Sequence, residues 1–169
     1  MKNRILALIF ALAALFTLKA CVYHDLSEIT TANNTDESLF AEINQSGYEY
    51  YQSGNILSAA SPSPHGSFRL RFNTVAQTSL DGTGELPESA VFKPGAVIVK
   101  EIYNASEELV LFAVIKKAPG DINAPTGHLF AEYALDGDVI IGIESKGAAC
   151  AGCHSGTPNR DLIRTFDLH

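Results

Sequence analysis

Residues 96–103 of this chain read AVIVKEIY. This stretch is rich in β-branched residues and predicts a strong β-strand. A second strong strand is predicted at residues 109–117, after a short polar connection at residues 104–107. Two such runs separated by a short polar turn predict an antiparallel hairpin, so we expect a sheet at the centre of the domain.

Further segments extend this sheet on both sides. Residues 67–73 alternate, with apolar side chains on one side of the strand and Arg69 and Arg71 on the other. Residues 129–135 and 139–143 predict a second hairpin, joined by an Asp-Gly pair in a type I′ turn. Together these segments predict a run of antiparallel strands.

Two helices are predicted at the ends of this run. Asn34 with Glu37 three residues later resembles a helix start, and we expect a helix over residues 36–52. A short closing helix is expected over residues 160–168. The predicted fold class is α+β and mainly antiparallel β: a single domain with an N-terminal helix, several strands and a cysteine-histidine motif near the C-terminus.

That motif is Cys-Ala-Gly-Cys-His at residues 150–154. Cys-x-x-Cys-His is the attachment signature of a c-type haem. The spacing suits the chemistry, because Cys150 and Cys153 can reach the two vinyl groups of one haem and His154 can then ligate its iron. The sequence therefore predicts one covalently bound haem c held by these three residues.

Three other interpretations of the motif compete with haem attachment. Half of a zinc site is the first, but no second Cys-x-x-Cys or His-x-x-x-His is present to complete four ligands. A redox-active disulfide is the second, and it would normally begin a helix in a βαβ unit. A structural disulfide in an exported protein is the third.

The N-terminus predicts export through a lipoprotein signal peptide at residues 1–20. Its apolar run, residues 5–16, is long enough for a signal-peptide core and short for a bilayer span. Residues 18–21 read Leu-Lys-Ala-Cys and resemble a lipobox, which makes Cys21 the predicted site of lipidation; a plain cleaved signal peptide is the alternative. Residues 21–34 would form a tether and residues 35–169 the haem domain.

Export and haem attachment support each other, since thioethers form outside the bacterial cytoplasm. We expect the protein in the bacterial cell envelope, facing the periplasm and touching the membrane only through its lipid anchor. Without residues 1–20, which contain three of the twelve basic residues, nine basic and nineteen acidic residues remain, a formal charge of −10. Such an acidic chain is unsuited to nucleic acid but could steer a basic periplasmic redox partner.

The composition also limits the ligands of the predicted iron. Met1 is the only methionine and leaves with the signal peptide, so this chain has none left to ligate the iron. A bis-histidine site would use His65, His128 or His169. An open position that binds a small ligand is the interpretation that we favour.

Several sequence blocks resemble the cytochrome P-460 family, which includes cytochrome c′-β. They are FRLRFN at residues 68–73, FKPGAVIVKE at 92–101, LFAEY at 129–133, the Cys-x-x-Cys-His motif and Arg160-Asp161. The family fold is mainly antiparallel β, in agreement with the strands predicted above. This chain lacks the tryptophan that family members often carry near the LFAEY block.

The resemblance implies two activities. Cytochrome P-460 oxidises hydroxylamine with a haem cross-linked to a lysine, for which Lys93 and Lys100 are candidates here. Cytochrome c′-β has no cross-link and binds NO and CO in an apolar pocket. The predicted function is therefore binding or oxidation of a small nitrogenous ligand, with a bis-histidine electron carrier or a pure NO/CO-binding module as alternatives. The resemblance also favours a homodimer, for which an exposed hairpin edge would be suited.

Other side chains are candidates for supporting roles. Glu101 or Glu132 could accept a proton during hydroxylamine oxidation. The candidates for pairing with haem propionates are arginines, whose fork matches a carboxylate: Arg69, Arg71, Arg160 and Arg164. The candidates for an apolar pocket wall are Phe72, Phe92 and Phe112.

Overall fold

The computed structural model describes residues 34–61 and 63–169. The predicted signal peptide, Cys21 and the tether up to residue 33 lie outside the described residues. The elements in chain order are α1 (Asp36–Ile43), β1 (Glu49–Tyr50), a 3-10 helix (Tyr51–Gly54), β2 (Ser67–Phe72), α2 (Thr74–Gln77), β3 (Val97–Tyr103), β4 (Leu109–Lys117), β5 (His128–Tyr133), β6 (Val139–Ile141), a second 3-10 helix (Ile143–Ser145), α3 (Ala151–His154) and α4 (Thr165–Leu168).

The six strands form one antiparallel sheet in which each strand pairs with the next along the chain. The described part of the chain is a single domain of one sheet and short helices, which confirms the predicted mainly antiparallel fold. Helix α1 covers one face of the sheet and buries Leu39 and Ile43 against it. The C-terminal segment covers part of the other face through Ile163 and Phe166.

The N-terminal helix begins as predicted but is shorter. Thr35 caps it, because its side chain accepts the Ser38 N–H and the Ser38 hydroxyl in turn accepts the Thr35 N–H. The prediction that it reaches residue 52 was wrong. It ends at Ile43, and Gly47 then adopts a left-handed φ of +93°, which lets the chain turn into β1.

The hairpin between β5 and β6 uses a different turn from the one predicted. A type I′ turn needs positive φ at both central residues, but of Asp136 and Gly137 only Gly137 has one, at +98°. Ala134 and Asp138 instead close a three-residue loop, since the Ala134 N–H donates to the Asp138 carbonyl. The Asp-Gly pair indicated the hairpin correctly but not its turn type.

The closing helix is also shorter than predicted, covering only Thr165–Leu168. Asp161 and Leu162 have φ of +48° and +68°, which a right-handed helix cannot accommodate. Arg160 and Ile163 instead form an isolated antiparallel bridge around these two residues. The segment 160–163 is therefore a tight turn, and it lies against the predicted haem motif.

Candidate functional site

A cavity of about 440 Å³ lies against the face of the sheet that α1 does not cover. This volume falls in the range of small-molecule and cofactor sites, about 300–1,000 Å³. The strand register places four of its lining side chains directly opposite one another on neighbouring strands. We call these the floor row: Leu70, Lys100, Ala113 and Glu132. All three residues of the predicted haem set, Cys150, Cys153 and His154, line the same cavity.

The motif folds as a single helical turn that begins after Gly147. Cys150 and Ala151 both donate their N–H groups to the Gly147 carbonyl, and the His154 N–H donates to the Cys150 carbonyl at 3.1 Å. Gly147 is required there for two reasons. Its φ is +69°, and a Cβ at this position would lie 2.7 Å from the Phe130 ring.

Both thiols of the motif are free. Cys150 is half-buried and Cys153 is exposed. Their spacing of three residues on one helical turn puts both on the same side. Burial, and next the carboxylate of Glu132, raise the pKa of the Cys150 thiol.

The imidazole of His154 is held by one hydrogen bond. Its Nδ1 lies 2.7 Å from the carbonyl oxygen of Leu162, so we assign the proton to Nδ1. Nε2 then carries the free lone pair, which is the form that ligates a metal. Burial lowers the pKa of His154, which favours the neutral ring, and the Phe130 ring packs edge-on with centroids 5.5 Å apart.

The Leu162 carbonyl is presented by the tight turn at residues 160–163. A left-handed conformation costs a non-glycine residue roughly 1–2 kcal/mol. Asp161, the other left-handed residue of the turn, is anchored by its carboxylate. That group accepts from the Phe92 N–H at 2.8 Å and from Lys117 Nζ at 2.7 Å, and His128 Nε2 lies 3.2 Å away.

Asp161, Lys117 and His128 form a buried cluster that the sequence did not predict. Burial raises the pKa of Asp161, but the hydrogen bonds from His128 and Lys117 outweigh it and bring the pKa to about 2. The Arg160-Asp161 pair was noted only as part of the family resemblance. Nothing in the linear sequence connects it with Lys117 and His128, since the register of β4 and β5 brings them together.

Lys100 is the one of the two candidate lysines that lies in the cavity; Lys93 is exposed at a turn. Burial lowers the pKa of Lys100 to about 8. Its Nζ sits 3.8 Å from the centroid of the Phe68 ring rather than against a carboxylate.

Glu132 stands on the other side of Ala113 in the floor row. Burial raises the pKa of its carboxyl group. Its carboxylate lies beside His65 on the loop before β2, with 3.8 Å between Oε1 and Nδ1. Burial, with the charge of Lys100 next, lowers the pKa of His65 to about 4.

The three histidines considered as second ligands are placed differently. His65 and His169 both line the cavity, and the His169 ring packs edge-on against Phe68 at 5.2 Å. His128 is 3% exposed and has both ring nitrogens engaged, with Thr126 O at 3.2 Å and with the Asp161 carboxylate. His128 is therefore not positioned as a ligand in this cavity.

Of the arginines predicted to pair with haem propionates, one lines the cavity and the others do not. Arg164 lines the cavity, with its Nη1 3.4 Å from the Cys153 carbonyl. Arg71 is buried in an ion pair with Glu101 at 2.7 Å, on the strand face that packs beneath α1. Arg160 pairs with Glu85 and Asp167.

The remaining candidates also lie away from the lining. Arg69 stacks over the Tyr103 ring at 5.2 Å. Glu101 accepts hydrogen bonds from Tyr50 and Tyr103 as well as Arg71. It does not line the cavity and therefore does not act beside the floor row. Phe72 and Phe92 pack in the core next to the cavity, Phe112 packs on the opposite face, and the aromatic wall is Phe130.

The donor set is suited to a c-type haem. Two free thiols at the required spacing and an imidazole with Nε2 free face one largely apolar cavity. Within residues 34–61 and 63–169 no group of three or more His, Cys, Asp or Glu is arranged to hold a metal ion by side chains alone. Cys150, Cys153 and His154 could hold a haem in the cavity that Lys100, Glu132 and His65 also line.

Comparisons with protein-family models, with curated proteins and with solved structures find no match to this chain. The likeness to the cytochrome P-460 family thus rests on the quoted sequence blocks. Among the helices of the described residues, none has both the length and the apolar character to cross a bilayer.

Proposed function

We propose that this chain is an exported c-type cytochrome of the cytochrome P-460 type, with an open coordination position that binds or oxidises a small nitrogenous ligand, hydroxylamine or NO. One observation carries the proposal. Cys150, Cys153 and His154 line a single cavity whose floor also carries Lys100 and Glu132. The haem would supply a redox-active iron there.

In this proposal the motif residues have separate roles. Cys150 and Cys153 form the two thioethers, and His154 ligates through Nε2. The hydrogen bond from His154 Nδ1 to the Leu162 carbonyl supports the last role, because it fixes the tautomer and increases the basicity of the ligand.

Lys100 and Glu132 of the floor row are suited to a ligand that has both hydrogen-bond donors and acceptors. Each electron withdrawn from hydroxylamine is accompanied by the release of a proton from its N–H or O–H groups. Glu132 would accept such a proton, and its raised pKa makes it a better base than an ordinary carboxylate. The electrons would leave to a periplasmic redox protein.

Lys100 is the candidate for a cross-link to the haem, the feature that the resemblance implies for hydroxylamine oxidation. Forming an N–C bond to the haem would need the neutral amine and a two-electron oxidant such as a peroxide, because one N–H and one ring C–H are lost. With a pKa of about 8, about a tenth of the Lys100 side chains are neutral at pH 7. Without the cross-link, the apolar remainder of the floor supports a module that binds NO or CO.

A bis-histidine electron carrier is the second candidate. It is favoured by His65 and His169, which line the cavity together with His154. Replacing His65 and His169 by alanine, one at a time, distinguishes the bis-histidine carrier from the open site. A low-spin spectrum that becomes high-spin in H65A or H169A would identify the second ligand and contradict the open site.

The main test uses the mature chain purified with its haem. Ferric and ferrous spectra are recorded with and without NO, and turnover of hydroxylamine is measured with an artificial electron acceptor. A high-spin spectrum that responds to NO supports an open site. A red-shifted ferrous Soret band together with a haem-bound lysine peptide supports the oxidising branch, and a low-spin spectrum indifferent to NO contradicts both.

Matched variants assign the two side chains. K100M should abolish any haem-bound lysine peptide, whereas K93M, at an exposed lysine of the same sequence block, should not. E132Q should lower hydroxylamine turnover at least tenfold, whereas E101Q, on the opposite face, should leave it unchanged. Turnover unaffected by E132Q would remove Glu132 from the mechanism.

The remaining parts of the proposal concern location and assembly. We propose lipidation at Cys21 and a position in the bacterial cell envelope facing the periplasm; retention in the membrane fraction by a C21S variant would contradict the anchor. A homodimer is proposed through strand β6 at the sheet edge, where Val139 and Ile140 are exposed. Light scattering of V139K/I140K against the parent tests this interface.

A further inference from the structure

The carboxylate of Asp161 lies one residue from the carbonyl that holds His154. Its side chain is 7% exposed, and the three groups around it are the Phe92 N–H, Lys117 Nζ and His128 Nε2, at 2.8, 2.7 and 3.2 Å. Lys117 and His128 face each other on β4 and β5. The carboxylate is thus fixed to the central strands of the sheet.

The backbone at this point is in a conformation that needs support. Asp161 and Leu162 both have positive φ, and leucine adopts such a conformation rarely. Residues of this kind persist where the surrounding structure determines them and are frequent at functional sites. The Arg160–Ile163 bridge and the bond from the Leu162 N–H to Asn159 Oδ1 close the turn. The polar contacts of the Asp161 carboxylate tie the turn to β4 and β5, and Ile163 adds apolar packing on the same face of the sheet.

We propose that Asp161 is a positioning residue for His154. Its carboxylate anchors the turn that presents the Leu162 carbonyl, and that carbonyl fixes the tautomer and the ring orientation of the histidine. The inference rests on the proposed function only in taking His154 as the iron ligand. A ligating histidine commonly donates its second ring N–H to such an acceptor, and the acceptor's placement tunes the ligand.

The first experiment needs no haem. In the full-length chain with Cys150 and Cys153 both changed to alanine, long-range proton–nitrogen NMR reports which ring nitrogen of His154 carries the proton. The parent should show the Nδ1–H form. D161N keeps the shape of the side chain and a residue that tolerates positive φ, but places an amide N–H₂ against donors, so it should give a mixture of the two tautomers.

The second experiment uses the haem-loaded chain. Loss of the Nδ1–H bond makes imidazole a weaker donor, so D161N should lower the iron–histidine stretching frequency and raise the reduction potential. E101Q is the matched control, because it breaks an equally buried carboxylate pair on the opposite face. It should move neither quantity, although it also destabilises the fold.

The outcomes are separable. Unchanged His154 nitrogen shifts and an unchanged stretch in D161N, or equal changes in E101Q, would overturn the inference. If D161N does not fold, K117M carries the test: a smaller change in the same direction supports the role and no change overturns it. A parent chain that never acquires haem refutes the proposed function, while the NMR experiment still decides the role of Asp161.

Discussion

Lys100 and Glu132 stand on either side of Ala113 in one cross-strand row, yet they do not pair with each other. Lys100 Nζ lies over the Phe68 ring, and Glu132 lies beside His65. Adjacent strands are about 4.8 Å apart, so the backbones of the two residues are separated by roughly 10 Å. The small side chain of Ala113 lies between the Lys100 ammonium and the Glu132 carboxyl group. This arrangement leaves room for a small polar ligand.

Replacing Ala113 with leucine should close that room. We expect A113L to weaken the affinity of the haem-loaded chain for NO at least tenfold, because the larger side chain occupies the space between Lys100 and Glu132. Stopped-flow absorption measures the rates of NO binding and release, and hence the affinity. V110L, at an exposed position of the same strand, is the control and should bind NO as the parent does. Equal affinities for A113L and the parent would mean that the ligand binds elsewhere.

The burial of Lys100 predicts a pH-dependent stability. Its pKa is lowered from 10.5 to about 8, so the folded state holds the proton less well than the unfolded state. The resulting penalty is complete below pH 8 and is relieved as the pH rises from 8 to 10.5. K100M should therefore be more stable than its parent at pH 7, by roughly 2–3 kcal/mol once the lost Phe68 contact is allowed for.

Urea unfolding of the C150A/C153A chain, with and without K100M, measures this difference. The advantage of K100M should shrink steadily between pH 8 and pH 10.5. K93M serves as the control, because that lysine is exposed, and its stability difference should not vary over this interval. An advantage for K100M that is constant with pH would show that the effect is not due to the lysine charge.

The Arg71–Glu101 pair predicts a stability effect without an effect on the site. Both side chains are less than a tenth exposed, at 9% and 8%. Removing one partner of a buried pair typically costs about 3–5 kcal/mol, because the other charge stays buried and unpaired. R71M should lose about that much, and R71M/E101Q should recover part of it. The affinity of R71M for NO should stay at the parent value; a large loss would argue that the two faces of the sheet are coupled.

Gly147 predicts that a single methyl group disturbs the cavity wall. G147A combines a strained φ of +69° with a contact of 2.7 Å on the Phe130 ring. G127A has a similar φ of +79° but meets nothing within 4 Å, so it isolates the backbone strain, roughly 1 kcal/mol. Thermal unfolding should show a loss for G147A that exceeds that of G127A by at least 1 kcal/mol. Equal losses would mean that Phe130 moves aside freely.

The sequence allowed the strands to be predicted well because their apolar runs and polar turns are local features. Strands β2 to β6 lie where alternation and β-branched residues indicated. The misjudged segments are those in which one residue changes the backbone, such as Gly47 after α1 and Asp161-Leu162 before α4. A helical pattern of apolar residues does not report a left-handed conformation of this kind.

The site was predictable only in part for a related reason. The Cys-x-x-Cys-His motif is contiguous, so its three residues could be proposed directly. The floor row depends on the pairing of four strands, which no linear pattern specifies. Lys100 and Glu132 were candidates, but Ala113 and the Lys117–Asp161–His128 cluster were missed, because their roles arise from register.

Covalent haem at Cys150 and Cys153 would be visible in the mass of the chain. The full-length protein is expressed with and without the haem-attachment machinery of the bacterial envelope, denatured in acid, extracted and weighed by mass spectrometry. We predict that the chain retains the mass of one haem, and that C150A/C153A retains none. A chain that has only its polypeptide mass, with both thiols open to alkylation, would show that no haem is attached at Cys150 and Cys153.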